Sequence, residues 1–401
     1  GAVAGLNAYD HIAPVRTTPL HHWHESLGSP FAPAGHWLRA QGYPKDGETL
    51  EQATMREAKH VREKVGIVDV STLGKIDVQG PDALEFLNRV YINGFSNLPV
   101  GKCRYGVMLR EDGLVDDDGV VTRLAENRYM ITTTTTHASA VMNRLEYLLD
   151  VDWPTLNVHL LSVTDDWSGI AIAGPHSRTV LTKLTSADLS NSAVPFMGYA
   201  EIDIDGVPVR LFRISFSGEL AYEINMAPNA TRTVWDALLK AGANQEIIPY
   251  GLEAMNVLRI EKGHVVGGEL NGRTTADGLG FGKMMSTKKA FVGQVPARRA
   301  GLTRDDMHQL VGLVPTDAKT RIPRGAQLIA DPEATKPVAM QGEVTSQCMS
   351  PNLGHPIALA LLNGGRARHG LPAQSDGAPA AARAAVAGPK GKAAGGREAH
   401  V

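Results

Sequence analysis

Arg104-Tyr105-Gly106-Val107-Met108-Leu109-Arg110-Glu111-Asp112-Gly113-Leu114-Val115-Asp116-Asp117-Asp118-Gly119 holds the densest acidic run in this chain. Tyr105 to Leu109 and Gly119 to Leu124 carry the aromatic and β-branched residues of strands. Between them the sequence predicts an acidic turn. Three adjacent carboxylates, Asp116, Asp117 and Asp118, repel one another, and burial would raise the pKa of at least one. A carboxylate tuned in this way can serve as a general base or hold positive charge developing on an amine. A solvated acidic turn is the plainer alternative.

Outward from this stretch, helical and strand patterns alternate. Glu51 to Val65 keeps helical spacing. Gly66 to Val70 reads as a short strand, and Lys75-Ile76-Asp77-Val78-Gln79 alternates as a half-buried one. A helix follows Gly80-Pro81-Asp82 with Ala83, Leu84, Phe86, Leu87 and Val90 on its apolar face. Asp205-Gly206 between Ala200 to Ile204 and Val207 to Ile214 is a strong hairpin signal. Residues 1–45, rich in Pro, His, Trp and Gly, read as an extended arm. Residues 46–304 form the main α+β region. Residues 305–370, with short β-prone runs between Pro and Gly, read as a small C-terminal β domain. Residues 371–401 have almost no bulky apolar side chain and read as a disordered tail.

Bulk properties exclude several classes. The chain has 401 residues, 43% hydrophobic and 20% charged, with a net charge of -2. That gives no electrostatic case for nucleic acid or an anionic membrane. No apolar run reaches the roughly 20 residues needed to span a bilayer. Gly1-Ala2-Val3-Ala4 is no signal peptide. Cys103 and Cys348 make neither a CxxC nor a zinc spacing, so a reducing cytoplasm is the expected compartment.

Two further stretches carry candidate chemistry. In Phe216-Ser217-Gly218-Glu219-Leu220-Ala221-Tyr222-Glu223, a strand over Leu220 to Ile224 would put Glu219 and Glu223 on one face. A buried Glu there needs a donor-rich partner, which a pterin or guanine edge supplies; surface glutamates on an edge strand are the alternative. In Gly251 to Gly263, Arg259 shares a helix face with Leu252, Met255 and Leu258. It must be paired with an acid or bound to a ligand. His21, His22 and His24 cluster around Trp23 without the carboxylate pattern of a metal site. Gly278 to Lys283 matches no nucleotide fingerprint.

The order of these blocks resembles the aminomethyltransferase (glycine-cleavage T-protein) family. The resemblance rests on Thr18-Pro19-Leu20-His21, Gly66 to Ser71, Tyr105 to Val121, Ser217 to Ile224, Gly251 to Gly263 and Gly278 to Gly293. Within the family, the threonine run Thr132 to Thr136, Tyr250 to Met255 and Gly342 to Ala360 resemble the folate-binding half of sarcosine oxidase alpha subunits. The resemblance implies a three-domain arrangement around a central folate cavity, with a small barrel-like C-terminal domain. Registering Tyr105 on the family's folate-pocket tyrosine puts the catalytic aspartate on Asp118; a register one residue earlier puts it on the neighbouring Asp117, and Asp116 is an extra acid. Tetrahydrofolate would be bound by Tyr105, Phe216, Glu223 and Arg259, with no metal. Phe216 stands where many relatives have Tyr. The implied reaction oxidises sarcosine to glycine and captures the methylene group as 5,10-methylenetetrahydrofolate; formaldehyde is released without folate. Flavin and NAD would lie on a missing region or on partner subunits, because no dinucleotide-binding half is visible here. A free-standing glycine-cleavage aminomethyltransferase and a non-catalytic folate-binding module remain as alternatives.

Overall fold

Asp205 and Gly206 both take positive φ, 50° and 79°, as a two-residue type I′ hairpin turn requires. The turn joins strands Tyr199–Ile204 and Val207–Phe212, with Ile204 opposite Val207. The computed structural model describes residues 16–330, 337, 339–370, 372–375 and 383–387. Its chain divides into two units that interleave along the sequence: Gly1–Ala83, Leu98–Arg104 and Gly119–Met255 form the first, and Leu84–Asn97, Tyr105–Asp118 and Asn256–Val401 the second.

The hairpin opens a six-stranded sheet of the first unit. It continues through Ala221–Met226, Ser168–Ala173, Gly66–Asp69 and Ile248–Pro249. Ile67, Ile172, Leu211, Tyr222 and Ile224 from its strands are fully or almost fully buried. They pack with Trp235 and Leu238 of helix Thr231–Ala241 and with Val180 of helix Ser177–Leu181. A five-stranded sheet orders Lys102–Leu109, Val115–Ala125, Arg128–Thr133, Gly74–Gln79 and His159–Ser162.

In the second unit, His308–Pro315 pairs with His355–Asn363, which pairs with Met340–Ser350. The ladder continues through Gln327–Ile329, Pro372–Ser375 and Arg383–Ala387, and returns to His308–Pro315. The Ala/Gly tail is therefore not a disordered stretch throughout: Pro372–Ser375 and Arg383–Ala387 are strands, and the rest of it lies outside the described residues. Ladder bonds belong to the backbone, so an alanine-rich run can supply them without bulky side chains.

The first 45 residues also depart from an extended arm. From residue 16 on they form helix His21–Ser26 and the strand pair Phe31–Ala34 and Trp37–Ala40. Leu20 is fully buried, and Trp23 stacks edge-on against Trp235 at 4.9 Å between ring centroids. Tertiary burial thus orders a segment with little periodicity of its own. Residues 1–15 lie outside the described residues.

The strand Gly74–Gln79 is buried on both faces, Lys75 and Asp77 included, where its alternation implied one solvent face. Trp235 is among the largest fully buried side chains of the first unit. Trp235→Ala should cost roughly 3–5 kcal/mol of stability; chemical denaturation followed by circular dichroism measures it.

Candidate functional site

The acidic run begins within a strand. The turn falls earlier, where the Asp112 carboxylate accepts the Leu114 N–H at 3.0 Å and an Arg110 N–H at 2.5 Å, and Gly113 takes φ 89°. Asp116, Asp117 and Asp118 therefore lie in the strand Val115–Ala125, where successive side chains alternate between faces. Asp117 is 1% exposed, whereas Asp116 and Asp118 are intermediate. The three carboxylates do not share one surface, as they would in a turn.

Within the second unit, the Tyr105 hydroxyl donates to Asp118 Oδ2 at 2.5 Å. Phe281 lies 5.5 Å from the Tyr105 ring. Val107, Leu109, Val115, Leu279 and Phe291 make the apolar cluster against which Tyr105 packs. Burial pushes the Tyr105 hydroxyl far above the ordinary tyrosine range, and the Asp118 charge pushes it further. Tyr91, which sequence reasoning missed, is fully buried. Burial, then Asp117 and Asp118, raise its pKa, and its hydroxyl has no hydrogen-bond partner among the described residues. Asn93 donates to the Tyr105 carbonyl at 2.9 Å and holds that backbone in place.

Arg259 also lies in the second unit, 3% exposed. It donates to Asn256 Oδ1 at 2.8 Å, the His264 carbonyl at 3.1 Å, Glu269 Oε2 at 3.2 Å and Ser346 Oγ at 2.7 Å. Ser346 in turn donates to Glu269 Oε1 at 2.6 Å. Four of the five N–H groups of the guanidinium are thus committed internally, and Arg259 neutralises the fully buried Glu269.

Glu223 lies in the first unit, on strand Ala221–Met226, opposite Phe212 on one side and Ala171 on the other. It keeps some accessible surface, yet burial raises its pKa and Lys75 pulls it back down. No hydrogen bond to its carboxylate forms among the described residues. Glu219 does not share that strand: it precedes it and pairs with Arg62 at 3.0 Å. Phe216 is half-buried in the bend before the strand. Gly218, at φ 85°, receives its place there from Ser215 Oγ, which accepts the Gly218 N–H at 3.0 Å.

The first unit holds a second polar cluster that the histidine spacing did not reveal. His24 is 2% exposed; its Nδ1 meets the Tyr43 hydroxyl at 2.8 Å and its Nε2 meets Asp69 Oδ2 at 3.3 Å. Arg39 donates to the Asp69 carbonyl at 3.2 Å. Burial pushes the Asp69 carboxyl up, but hydrogen bonds and charge from His24, with Ser71 and Thr18, bring it below its ordinary value. Thr18, His24, Arg39, Tyr43, Asp69 and Tyr250 line a cavity of about 10 Å³, room for one water. Burial raises the Tyr250 pKa, and the Glu223 charge adds to it.

Residues 20–289 match the family model of the GCVT N-terminal domain, and residues 308–388 that of the glycine cleavage T-protein C-terminal barrel domain. The chain belongs to the glycine cleavage T-protein family. Two relatives show its breadth. The chain is 48% identical over 374 residues to the sarcosine oxidase subunit alpha of Rhizobium meliloti (strain 1021), covering 92% of this chain and 38% of that protein. It is 32% identical over 364 residues to an aminomethyltransferase of Saccharopolyspora erythraea, covering 90% of this chain and 94% of that protein. The chain thus spans well under half the length of the sarcosine oxidase subunit it matches. Among solved T-protein structures, the glycine cleavage system aminomethyltransferase T from Bartonella henselae superposes with a TM-score of 0.80 at 25% identity, over 93% of this chain and 97% of that one. The mixed α/β T-protein fold with its small C-terminal β domain is therefore the fold of this chain. No helix among its described residues is long and apolar enough to cross a membrane.

The burial of Tyr105 and Tyr91 beside two aspartates has a direct readout. Both hydroxyls should ionise well above an ordinary tyrosine, whose pKa is about 10. Ultraviolet difference titration of the parent, Tyr105→Phe and Tyr91→Phe proteins measures this. An ordinary midpoint for either would contradict its packing.

Proposed function

We propose that this chain performs tetrahydrofolate-dependent one-carbon transfer as the folate-binding part of a sarcosine oxidase. The observation that carries the proposal is the Tyr105 hydroxyl held at 2.5 Å from Asp118. A phenol that stays protonated fixes the orientation of a carboxylate that can take a proton from an amine. The higher identity to the sarcosine oxidase subunit than to the aminomethyltransferase, 48% against 32%, supports that branch.

The residues fit a reduced pterin in their chemistry. Glu223 offers a carboxylate that takes no hydrogen bond from the described residues, and a pterin edge presents paired N–H donors. Phe216 offers an aromatic face without a hydroxyl, one hydrogen bond fewer than a tyrosine would give. Arg259 commits four N–H groups to Asn256, His264, Glu269 and Ser346 and keeps one for folate. Bound tetrahydrofolate supplies the amine nitrogens to which the one-carbon unit is joined.

The chain's own residues then have distinct tasks. Glu223 accepts N–H donors and sets the orientation of the ring. Asp118 accepts or relays the amine proton at its carboxylate, and Tyr105 keeps that carboxylate oriented. Asp117, buried behind the same strand, adds negative charge that favours a protonated amine nearby. The apolar residues around Tyr105 keep water from a reactive imine carbon, so that capture outcompetes release as formaldehyde. Sarcosine oxidation, with its flavin and NAD, belongs in this proposal to regions beyond this chain or to partner subunits. The free cysteines Cys103 and Cys348 suit a reducing cytoplasm.

A second proposal is favoured by one observation. The chain covers 94% of the Saccharopolyspora erythraea aminomethyltransferase, so the same residues suit a free-standing enzyme that takes an aminomethyl group from a lipoyl carrier.

Glu223→Ala should weaken tetrahydrofolate binding by roughly 10-fold or more, the loss of charged hydrogen bonds. Asp118→Asn should bind nearly as the parent does but lose about 100- to 10,000-fold in methylenetetrahydrofolate formation, the usual worth of a positioned acid–base group. Isothermal titration calorimetry and product assay with the partner subunits test both. Parent-like binding and turnover in both variants sinks the folate reading. Ammonia release from aminomethyl-lipoyl carrier, with no sarcosine-dependent product, selects the second proposal.

A further inference from the structure

Arg210 is a buried cation of the first unit that the proposed chemistry leaves unused, at 6% exposure on strand Val207–Phe212. One face of its guanidinium lies on the Trp167 ring, 3.8 Å from the ring centroid. Nη1 meets the Met130 thioether at 3.7 Å, a weak acceptor. Nε is buried and makes no hydrogen bond among the described residues. The acid across from Arg210, Glu201, is largely exposed and stops 3.8 Å from Nε, outside hydrogen-bond range. Glu201 Oε1 instead accepts the Tyr199 hydroxyl at 2.5 Å. Arg128 and Asp77, which also act on Arg210, pair with each other at 2.6 Å. The stack fixes the plane of the guanidinium, and its Nε edge stays unfilled.

Asn225 pairs with Arg210 on the neighbouring strand and is 3% exposed. Its side-chain amide makes no hydrogen bond among the described residues. On the other side of Asn225 stands Gly169, where a Cβ would come 3.3 Å from Asn225 Nδ2. The next row of the sheet reads Phe212, Glu223 and Ala171. Alternate residues of a strand share a face. Val209, Leu211, Tyr222, Ile224, Ile170 and Ile172 turn to the apolar core, so Arg210, Asn225 and Glu223 share the other face. Asn225 lies roughly 7 Å along the strand from Glu223. Ala171 and Glu223 keep accessible surface although their strands are the two central ones of the sheet. The face is open there, over a floor of small residues.

A guanidinium stacked on an aromatic ring, with its edge free, suits a carboxylate, and a neighbouring amide adds a donor. The spacing narrows the source of that carboxylate. The glutamate of folate is held away from its pterin by an aminobenzoyl group, which a span of roughly 7 Å does not accommodate. In the imine formed from sarcosine, only a nitrogen and a methylene separate the transferred carbon from a carboxylate. That carboxylate is unchanged when glycine leaves, so one subsite serves donor and product. An aminomethyl group on a lipoyl carrier brings no carboxylate to this row.

We propose, resting on the folate reading above, that Arg210 and Asn225 form a carboxylate subsite on the Glu223 face of the sheet, which holds the carboxylate of an α-amino acid donor and of the glycine that leaves. Trp167 fixes the guanidinium, and Gly169 leaves the amide its place.

Ligand-observed NMR titration of the full chain with glycine, with and without tetrahydrofolate, tests this; methylamine is the probe that lacks a carboxylate. The parent should bind glycine saturably and methylamine not at all. Arg210→Gln keeps hydrogen-bond donors but removes the charge, and should weaken glycine binding by roughly 10-fold or more; Asn225→Ala should weaken it by roughly 3-fold or more. Both variants should keep parent-like tetrahydrofolate affinity by calorimetry. No saturable glycine binding in the parent, or equal binding of methylamine, overturns the subsite whether or not a variant folds. So does parent-like glycine binding in folded Asn225→Ala and Arg210→Gln. Weaker tetrahydrofolate binding in these variants, with glycine unaffected, also overturns it and gives the row to folate. Arg210-dependent glycine binding in a parent that takes no tetrahydrofolate keeps the subsite and sinks the folate reading instead.

Discussion

One carboxylate, Glu57, joins three segments of the first unit that are distant in sequence. It is fully buried on helix Leu50–Glu63; its Oε1 accepts the Tyr43 N–H at 2.7 Å and its Oε2 the Gly251 N–H at 2.9 Å. The approach it enforces is close: a Cβ on Gly251 would lie 2.2 Å from the Gln41 carbonyl. Burial raises the Glu57 pKa to about 7 against the pull of both backbone donors. Because the folded-state value lies above the ordinary one, this group stabilises the fold most when protonated, and that contribution declines as pH rises toward 7. The residues beside its two partners are the ones that matter next. Tyr43 reaches His24, and Tyr250, just before Gly251, lies in the field of Glu223.

The two units solve the problem of buried charge differently. In the second, Arg259 and Glu269 meet directly and share Ser346, so their lone pairs and N–H groups are largely consumed. Breaking such a pair from one side strands the other, at a typical cost of about 3–5 kcal/mol. In the first, Lys75 is held by the Ser71 and Leu73 carbonyls, and no described residue donates a hydrogen bond to the Glu223 carboxylate. The first arrangement favours rigidity, and the second leaves an acceptor available.

Much of the fold could be read from local chemistry. Asp205-Gly206 made its hairpin because both residues tolerate positive φ, and helix Leu252–Lys262 followed its apolar spacing. The misplaced acidic turn shows where such reading stops. The actual bend was chosen by the side-chain bonds of Asp112 and the freedom of Gly113, while Asp116 to Asp118 kept strand geometry. The ordered N-terminal segment depends on Leu20 and Trp23 reaching a tryptophan more than two hundred residues away, which no local pattern encodes. Lys75 escaped notice for a related reason: alternation marks one buried face, and it cannot tell whether the other is covered too. Tyr105, Asp118, Glu223 and Arg259 were singled out together only through family resemblance, since each alone has an ordinary structural explanation.

The second unit is assembled from Leu84–Asn97, Tyr105–Asp118 and the described residues from Asn256 onward. During synthesis the chain emerges from its amino end, so Tyr105 and Asp118 leave the ribosome long before Leu279, Phe281 and Phe291, which pack around them. Their hydroxyl–carboxylate bond is local enough to form early, but the apolar enclosure can form only after the later residues are made. A nascent chain would therefore leave this aspartate exposed to water until the residues that enclose it are made.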